Sequence, residues 1–276
     1  MNTLAITCLN GTFLPSDQAL LPVSDRGFRF GDGVFETIRV VNGRPYQFEL
    51  HLLRLQAGLL ALRIHTPEVD WVAVGRELIA LNNANAGFLR LAISRGVGSR
   101  GYLPEDGIRP NWVMEYLPPS PLPQKPYILW VTGTMRPPLT ALPGNHKLAI
   151  GIGSTLALLE ALEQGCDEAL MLSSDHCLCE SASANLFWIK NDRVFTPALS
   201  TACVAGTTRA ALMRLTDVEE VVVTIDAIAN AEAVFISNVR LGIWPVCGIE
   251  PEGWQYAESH PLFEGLRARL DADRGA

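Results

Sequence analysis

Five of the ten residues 117–126 are proline, in the run Leu117-Pro118-Pro119-Ser120-Pro121-Leu122-Pro123-Gln124-Lys125-Pro126. Proline fixes φ and has no backbone N–H to give to a ladder or a helix, so no regular element runs through this stretch. It reads as an extended linker. It divides a chain of 276 residues, enough for one large or two ordinary domains, into a smaller N-terminal domain at about 1–116 and a larger C-terminal one at about 127–276.

On the N-terminal side the pattern predicts hairpins and then helices. Asn10-Gly11 and Asn42-Gly43 each sit between short apolar runs, and a tight hairpin turn needs the positive φ these residues tolerate. Strands are expected at 37–41, 45–48, 88–94 and 112–116. Residues 50–62 are apolar at helical spacing with Arg54 on the polar side, and 69–83 read as a second amphipathic helix,. The segment from Asp25 to Arg39, glycine-rich and charged, reads as a turn-rich loop feeding a strand. On the C-terminal side strands are expected at 128–132, 168–172, 186–190, 194–195, 221–223 and 233–237. Helices are expected at 155–164, 208–215 and 261–271. Strands outnumber helices, which predicts an α+β class with mixed sheets or a barrel-like arrangement.

The composition narrows the function classes. Hydrophobic residues make up 48% and charged residues 18%, as in a folded globular protein. A net charge of −7 implies no broad basic surface for nucleic acid. No apolar run reaches the roughly 18 residues a membrane span needs. The N-terminus lacks a basic region followed by an apolar core, so no signal peptide is expected. Six scattered cysteines read as reduced thiols, which points to the cytoplasm. No metal is expected, because Cys177 and Cys179 have no second close pair of Cys or His beside them.

Three features in chain order carry chemistry. Lys147 is one of three lysines, with Lys125 and Lys190, and the apolar run Leu148-Ala149-Ile150-Gly151-Ile152 follows it. Partial burial lowers an amine's proton affinity and frees a nucleophile. Glu180 ends a strand-like stretch before Ser181-Ala182-Ser183-Ala184-Asn185. Gly206-Thr207-Thr208-Arg209 opens a helix, where backbone N–H groups and hydroxyls suit a phosphate. An amine, a carboxylate and a phosphate turn are parts that hold pyridoxal phosphate. Arg54 is a further phosphate candidate. Arg95 and Arg100, in Ser94-Arg95-Gly96-Val97-Gly98-Ser99-Arg100-Gly101-Tyr102, suit carboxylates through paired N–H donors. Gly31-Asp32-Gly33 has no strand–turn–helix unit around it and is not a dinucleotide fingerprint.

Taken together, these segments resemble the fold-type IV pyridoxal-phosphate enzymes, from about Asp25 to Cys247. That family includes branched-chain aminotransferases, D-amino-acid transaminases and aminodeoxychorismate lyases. The resemblance implies a two-domain α+β fold, a homodimer, and pyridoxal 5'-phosphate as cofactor. It assigns Lys147 to the Schiff-base lysine and Glu180 to the partner of the pyridine nitrogen. Arg54, Thr207, Thr208, and the turn at Ser237-Asn238 match the phosphate-binding residues. The likeness is greatest to the lyases, through Phe30-Gly31-Asp32-Gly33, the Arg95–Tyr102 loop and Ala184-Asn185-Leu186-Phe187-Trp188. D-amino-acid transaminases carry a histidine where this chain has Tyr102. After the lysine, lyases usually carry a polar segment with Leu-Asn, whereas this chain continues Leu148-Ala149-Ile150-Gly151-Ile152-Gly153.

The implied activity is conversion of 4-amino-4-deoxychorismate to 4-aminobenzoate and pyruvate, a step of folate biosynthesis. Lys147 would move the protons and Thr37 would contact the leaving group. Arg95, Arg100 and Tyr102 would meet the substrate. An aminotransferase on the same fold is the nearest alternative, and a non-catalytic binding protein on the same scaffold is a second.

Overall fold

The computed structural model describes residues 5–98 and 100–275. The first four residues of the N-terminal stretch, Ser99 of the arginine loop, and Ala276 lie outside the described residues. The chain forms two compact units, one of residues 1–121 with 146–150, the other of 122–145 with 151–276. The division falls inside the proline-rich stretch. One segment, His146–Ile150, departs from a simple cut there and packs with the first unit.

The first unit is a six-stranded antiparallel sheet with helices on one face. Its elements are β1 (Ile6–Leu9), β2 (Thr12–Pro15), α1 (Arg26–Phe30), β3 (Gly33–Val41), β4 (Arg44–Pro45), α2 (Phe48–Ala61), α3 (Trp71–Leu81), β5 (Ala86–Ser94) and β6 (Asn111–Leu117). The strand order is β2-β1-β6-β5-β3-β4. Both Asn-Gly pairs make their hairpins, with φ of 49° at Asn10 and 51° at Asn42,. Burial alternates along β3, because successive side chains point to opposite faces. Val34, Ile38 and Val40 join Leu89, Leu91 and Ile93 of β5 under Leu55 and Leu59 of α2 and Leu78 of α3. The opposite face carries Phe35, Thr37 and Arg39, paired in register with Ala92, Arg90 and Phe88. Residues 147–149 run antiparallel along the start of β3. Phe35 N–H donates to Lys147 O (3.1 Å), Ala149 N–H donates to Gly33 O (2.8 Å), and Val34 bridges Leu148. These bonds bring the lysine segment into the first unit.

The second unit comprises β7 (Tyr127–Val131), α4 (Ile152–Glu163), β8 (Glu168–Leu172), β9 (Leu178–Ser181), β10 (Asn185–Lys190), β11 (Arg193–Pro197), α5 (Thr207–Leu215), β12 (Val218–Val221), β13 (Ala233–Asn238), β14 (Gly242–Glu250), β15 (Trp254–Gln255) and α6 (Pro261–Arg274). The order β10-β13-β14-β7-β8-β9 returns to β10 through one further pair, Glu180 with Asn185. The mixed sheet is therefore barrel-like. Strands β8, β9, β10 and β13 are buried on both sides. Leu186 and Trp188 of β10 pack with Ile236 and Trp244, while Phe187 and Ile189 pack with Phe235 and with Phe263 and Leu266 of α6. This double burial explains the unbroken apolar run Leu186-Phe187-Trp188-Ile189.

The structure corrects several sequence expectations. The strand expected at 45–48 is only Arg44–Pro45, because Phe48 already opens α2. The strand expected at 221–223 lies at Val218–Val221, where parallel pairing with β11 fixes Val218 opposite Val194. The loop after Asp25 contains α1, capped by the Asp25 carboxylate on Gly27 N–H and ended by Gly31 at φ 66°. The long strand β14 was hidden by Pro245 at its centre. Pairing with β7 begins only at Val246, so the missing N–H falls where the strand has β13 alone beside it.

Phe187 is fully buried and stacks on Phe235, with ring centres 5.2 Å apart. Phe187→Ala is expected to cost about 3–5 kcal/mol, as large-to-small changes in a packed core do. Urea unfolding followed by fluorescence checks this. A shift no larger than that of a surface alanine substitution would show that the second core tolerates the void.

Candidate active site

In the first unit Lys147 Nζ stands 4.4 Å from the centre of the Phe35 ring, and the Arg90 guanidinium stands 4.6 Å from the same centre. A ring face attracts both cations. Thr37, two residues along the same face, is directly opposite Arg90. Arg90 has Glu115 3.7 Å away, and both side chains are about two-fifths exposed.

Behind β3 lies a buried charge cluster. Glu36 is fully buried. It accepts from Arg54 through Nε (2.7 Å) and Nη2 (2.5 Å), and stands 2.6 Å from His51 Nδ1. Burial pushes the Glu36 carboxyl up, but the bonds from His51 and Arg54 outweigh it and hold it below the ordinary carboxylate range,. Burial lowers His51 in spite of Glu36, with Arg54 and Lys147 adding to the effect. His51 is therefore neutral, with Nδ1–H donating to Glu36. Arg54 thus spends two donors on Glu36, a partner the sequence reading missed. An acid at an inward strand position, beside an Arg on a helix, was the signal available.

Arg95 is a corrected candidate. Nε and Nη2 grip Asp32 (2.8 and 3.0 Å), Nη1 donates to Arg63 O (2.9 Å) and Nη2 also donates to Leu62 O (2.8 Å). Four of five N–H donors are committed within the protein, so Arg95 clips the loop and has one donor left for a substrate carboxylate,. Arg26, also buried, joins it on Asp32 and donates to Gly101 O (3.1 Å) and Tyr102 O (2.7 Å). Burial raises the Asp32 carboxyl, yet the bonds from both arginines bring it below its usual value. The clip presents Arg100 and Tyr102 on an exposed loop, with Tyr102 85% exposed.

The second unit holds the carboxylate and the turn. Glu180 is buried at the pair that closes the ring. Val204 N–H donates to Oε2 (2.9 Å), Asn185 Nδ2 lies 3.4 Å from the same oxygen, and Arg136 Nε lies 3.2 Å from Oε1. Gly206 precedes α5, and a Cβ there would meet Asn185 Oδ1 at 2.0 Å. Only glycine fits between the closing pair and the helix start. Thr207 Oγ1 and Ser237 Oγ are buried with no hydrogen-bond partner, whereas buried polar atoms are ordinarily satisfied. Thr208 is buried in the same first turn. Asn238, by contrast, uses its side chain on the turn itself: Leu241 N–H donates to Oδ1 (2.7 Å), and Nδ2 donates to Ser183 O (3.2 Å).

A group of His and acidic side chains, Asp192, Glu232 and His260, also converges. His260 Nδ1 accepts from Leu262 N–H at the start of α6 (3.2 Å), and Nε2 points at Glu232 (3.3 Å). In the neutral ring that bond puts the proton on Nε2, so the nitrogen facing the carboxylates has no lone pair to give a metal.

Residues 33–249 match the family model described as amino-transferase class IV. The chain belongs to this family. It is 31% identical over 244 residues to the aminodeoxychorismate lyase of Vibrio harveyi, covering 84% of this chain and 88% of that one. It is 30% identical over 250 residues to a Methanocaldococcus jannaschii protein provisionally named a branched-chain-amino-acid aminotransferase, covering 88% and 87%. The crystal structure of 4-amino-4-deoxychorismate lyase from Pseudomonas aeruginosa superposes with a TM-score of 0.84 at 29% identity, covering 97% and 98%.

Class IV aminotransferases are pyridoxal 5'-phosphate enzymes. The residues of this chain fit that cofactor. The two orphaned hydroxyls of Thr207 and Ser237 suit phosphate oxygens, and the first turn of α5 offers N–H groups that have no partner within the helix. Thr207→Val removes one such hydroxyl at nearly constant shape. The Kd for pyridoxal phosphate is expected to rise roughly ten- to a hundredfold, the worth of one hydrogen bond to a charged group. The melting temperature of the apoprotein should hold or rise, because an unsatisfied buried hydroxyl is lost. An unchanged Kd would remove Thr207 from the phosphate turn.

Proposed function

We propose that this protein is a pyridoxal-phosphate-dependent carbon–oxygen lyase that converts 4-amino-4-deoxychorismate to 4-aminobenzoate and pyruvate. The observation that carries the reading is the outer face of the first sheet. There an amine (Lys147) and a guanidinium (Arg90) stand over the Phe35 ring, with a hydroxyl residue (Thr37) opposite Arg90 on the same face. Such a face suits a substrate with two carboxylates and a leaving oxygen. It suits a branched aliphatic side chain poorly.

The bound cofactor supplies an electron sink for the carbon that bears the substrate amine. Lys147 takes the proton from that carbon and, as an ammonium, returns one to the departing enolpyruvyl oxygen. Thr37 donates a hydrogen bond at the same oxygen. Glu180 keeps the pyridine nitrogen protonated. Arg54, Thr207, Thr208 and the Ser237-Asn238 turn hold the phosphate. Arg90, in place of Arg95, meets one substrate carboxylate, and Arg100 with Tyr102 meets the other. Aromatisation of the ring drives the reaction, so the protein's task is to orient the breaking bonds and move protons.

The same reading makes the protein a homodimer. Ile152, Leu156, Leu159 and Leu162 of α4 are each at least half exposed, and an apolar helix face of this kind is normally covered. Six free thiols suit the cytoplasm. Among the described residues no helix is long and apolar enough to cross a membrane.

An aminotransferase is the second reading, favoured by the near-equal identity to the M. jannaschii relative. The lyase needs no second substrate, whereas an aminotransferase needs an oxo acid. Incubation of the holoenzyme with 4-amino-4-deoxychorismate alone should give 4-aminobenzoate and pyruvate in equal amounts. Turnover that starts only when an oxo acid is added would establish the aminotransferase instead.

Steady-state kinetics on the same substrate separates the arginines. Arg90→Ala and Arg100→Ala should each lower kcat/KM about ten- to a hundredfold, as loss of a charge-assisted hydrogen bond does. Arg95→Ala should act mainly by lowering the melting temperature. Wild-type kcat/KM in Arg90→Ala would remove that residue from substrate recognition.

A further inference from the structure

Arg136 sits just beyond β7, and its surroundings are specific. Its backbone N–H donates to Leu172 O (2.8 Å), and the residue bridges Ser173 in parallel. Its side chain is mostly buried. Nη2 donates to Gly144 O (2.8 Å) and Ala202 O (3.1 Å), and Nε reaches both Ala202 O (3.3 Å) and Glu180 Oε1 (3.2 Å). A Cβ at Gly144 would meet Nη2 at 3.1 Å, so the backbone there is shaped around the guanidinium.

Glu180 is buried, and a buried charge is costly unless it is paired and hydrogen-bonded. The thiols of Cys179 and Cys203 lie close enough to feel its charge. Burial, then the charge of Glu180, pushes Cys203 up to about 11 and Cys179 higher still. Both thiols are therefore neutral near neutral pH and supply no charge to the site. Arg136 brings a cation to Glu180, with Nε 3.2 Å from Oε1. A guanidinium stays protonated in proteins, so it can fix a neighbour's charge without acting as an acid itself.

We propose that Arg136 is a positioning residue for the cofactor: it holds Glu180 ionised, and so keeps the proton of the Glu180–pyridine pair on the ring nitrogen. The inference rests on the reading of Glu180 as the partner of that nitrogen. Without Arg136, the buried carboxylate becomes the stronger base, and the shared proton moves from nitrogen to oxygen. The ring then loses its positive charge and the sink weakens. Arg136 also ties the carboxylate to Gly144, three residues before Lys147. The adjacent Asn145 O accepts from Ala205 N–H (2.9 Å), next to Gly206. Arg136 thus anchors the carboxylate and Gly144 together, and a separate backbone bond ties the next residue to the approach to the phosphate turn.

The test loads the enzyme with pyridoxal phosphate labelled with nitrogen-15 in the ring, and reads the ring-nitrogen chemical shift at one neutral pH. The wild type should show the protonated shift. Arg136→Gln, which keeps donors but removes the charge, should move it toward the neutral value and lower kcat at least tenfold with cofactor retained. Arg136→Lys should keep most of the protonated shift. Gly144→Ala, which presses on Nη2 without removing the charge, should give an intermediate shift. It also provides a second measurement if Arg136→Gln does not hold cofactor. Glu180→Gln serves as the control.

If Glu180→Gln moves the shift while Arg136→Gln and Gly144→Ala do not, Arg136 is only structural and the inference is overturned. The same holds if Arg136→Lys moves the shift as far as Arg136→Gln, since charge would then not be the cause. If Glu180→Gln itself leaves the shift unmoved, the reading of Glu180 fails, and the inference falls with it.

Discussion

The pairing of Glu180 with Asn185 is where the second unit closes on itself. Six strands in the order β10-β13-β14-β7-β8-β9 reach from one partner round to the other, and this single pair completes the ring. Closure sets the end of β9 against the start of β10, whose later residues pair with β11, so fewer backbone groups are left unpaired at that edge. It also places a carboxylate and a carboxamide where their polar atoms must be satisfied inside the protein. Val204 N–H, Arg136 and Asn185 answer Glu180, while Val204 O and Glu180 answer Asn185. The demands of closure and the demands of a charged site fall on the same residues. Gly206 follows from this, because the Asn185 carboxamide leaves no room for a side chain there.

The first unit separates its duties between the two faces of one sheet. The inner face packs apolar residues under α2 and α3 and holds a single buried acid, Glu36, met by Arg54 and His51. A buried carboxylate is costly unless paired, and here the two partners come from one helix, three residues apart. The outer face carries Phe35, Thr37 and Arg90 with Lys147 above the ring. Period-two alternation along β3 makes this division: Glu36 points inward because Phe35 and Thr37 point outward. A one-residue slip of register would exchange the two sets.

A second acidic residue acts as a clasp in this unit. Asp32 collects Arg26 and Arg95, and through them the carbonyls of residues 62, 63, 101 and 102. The loop that bears Arg100 and Tyr102 is therefore fixed from beneath by charge-assisted bonds, while its outer side chains stay exposed. A loop that lacks a core of its own is held in this way by polar anchors rather than by packing.

Much of this was legible in the sequence because it depends on near neighbours. The Asn-Gly hairpins, the amphipathic helices α2 and α3, the doubly buried strand Leu186-Phe187-Trp188-Ile189 and the break at the prolines all follow from local φ preferences and hydrophobic period. So does the order of lysine, carboxylate and Gly-Thr-Thr turn, which identified the cofactor class. What the sequence did not contain was the partner of each charge. Arg90 in the middle of β5 and Arg95 just past its end are five residues apart, yet Asp32 and two carbonyls consume Arg95, while Arg90 stands over Phe35. Lys147 lies beyond the proline break in sequence, yet hydrogen bonds to β3 bring it into the first unit. Arg136 gave no local signal, and it matters because the fold delivers its guanidinium to Glu180, 44 residues later. Local preference fixes which elements form. Which charges meet depends on closure of the ring and on the register of the sheets, and those are settled only when distant segments pack.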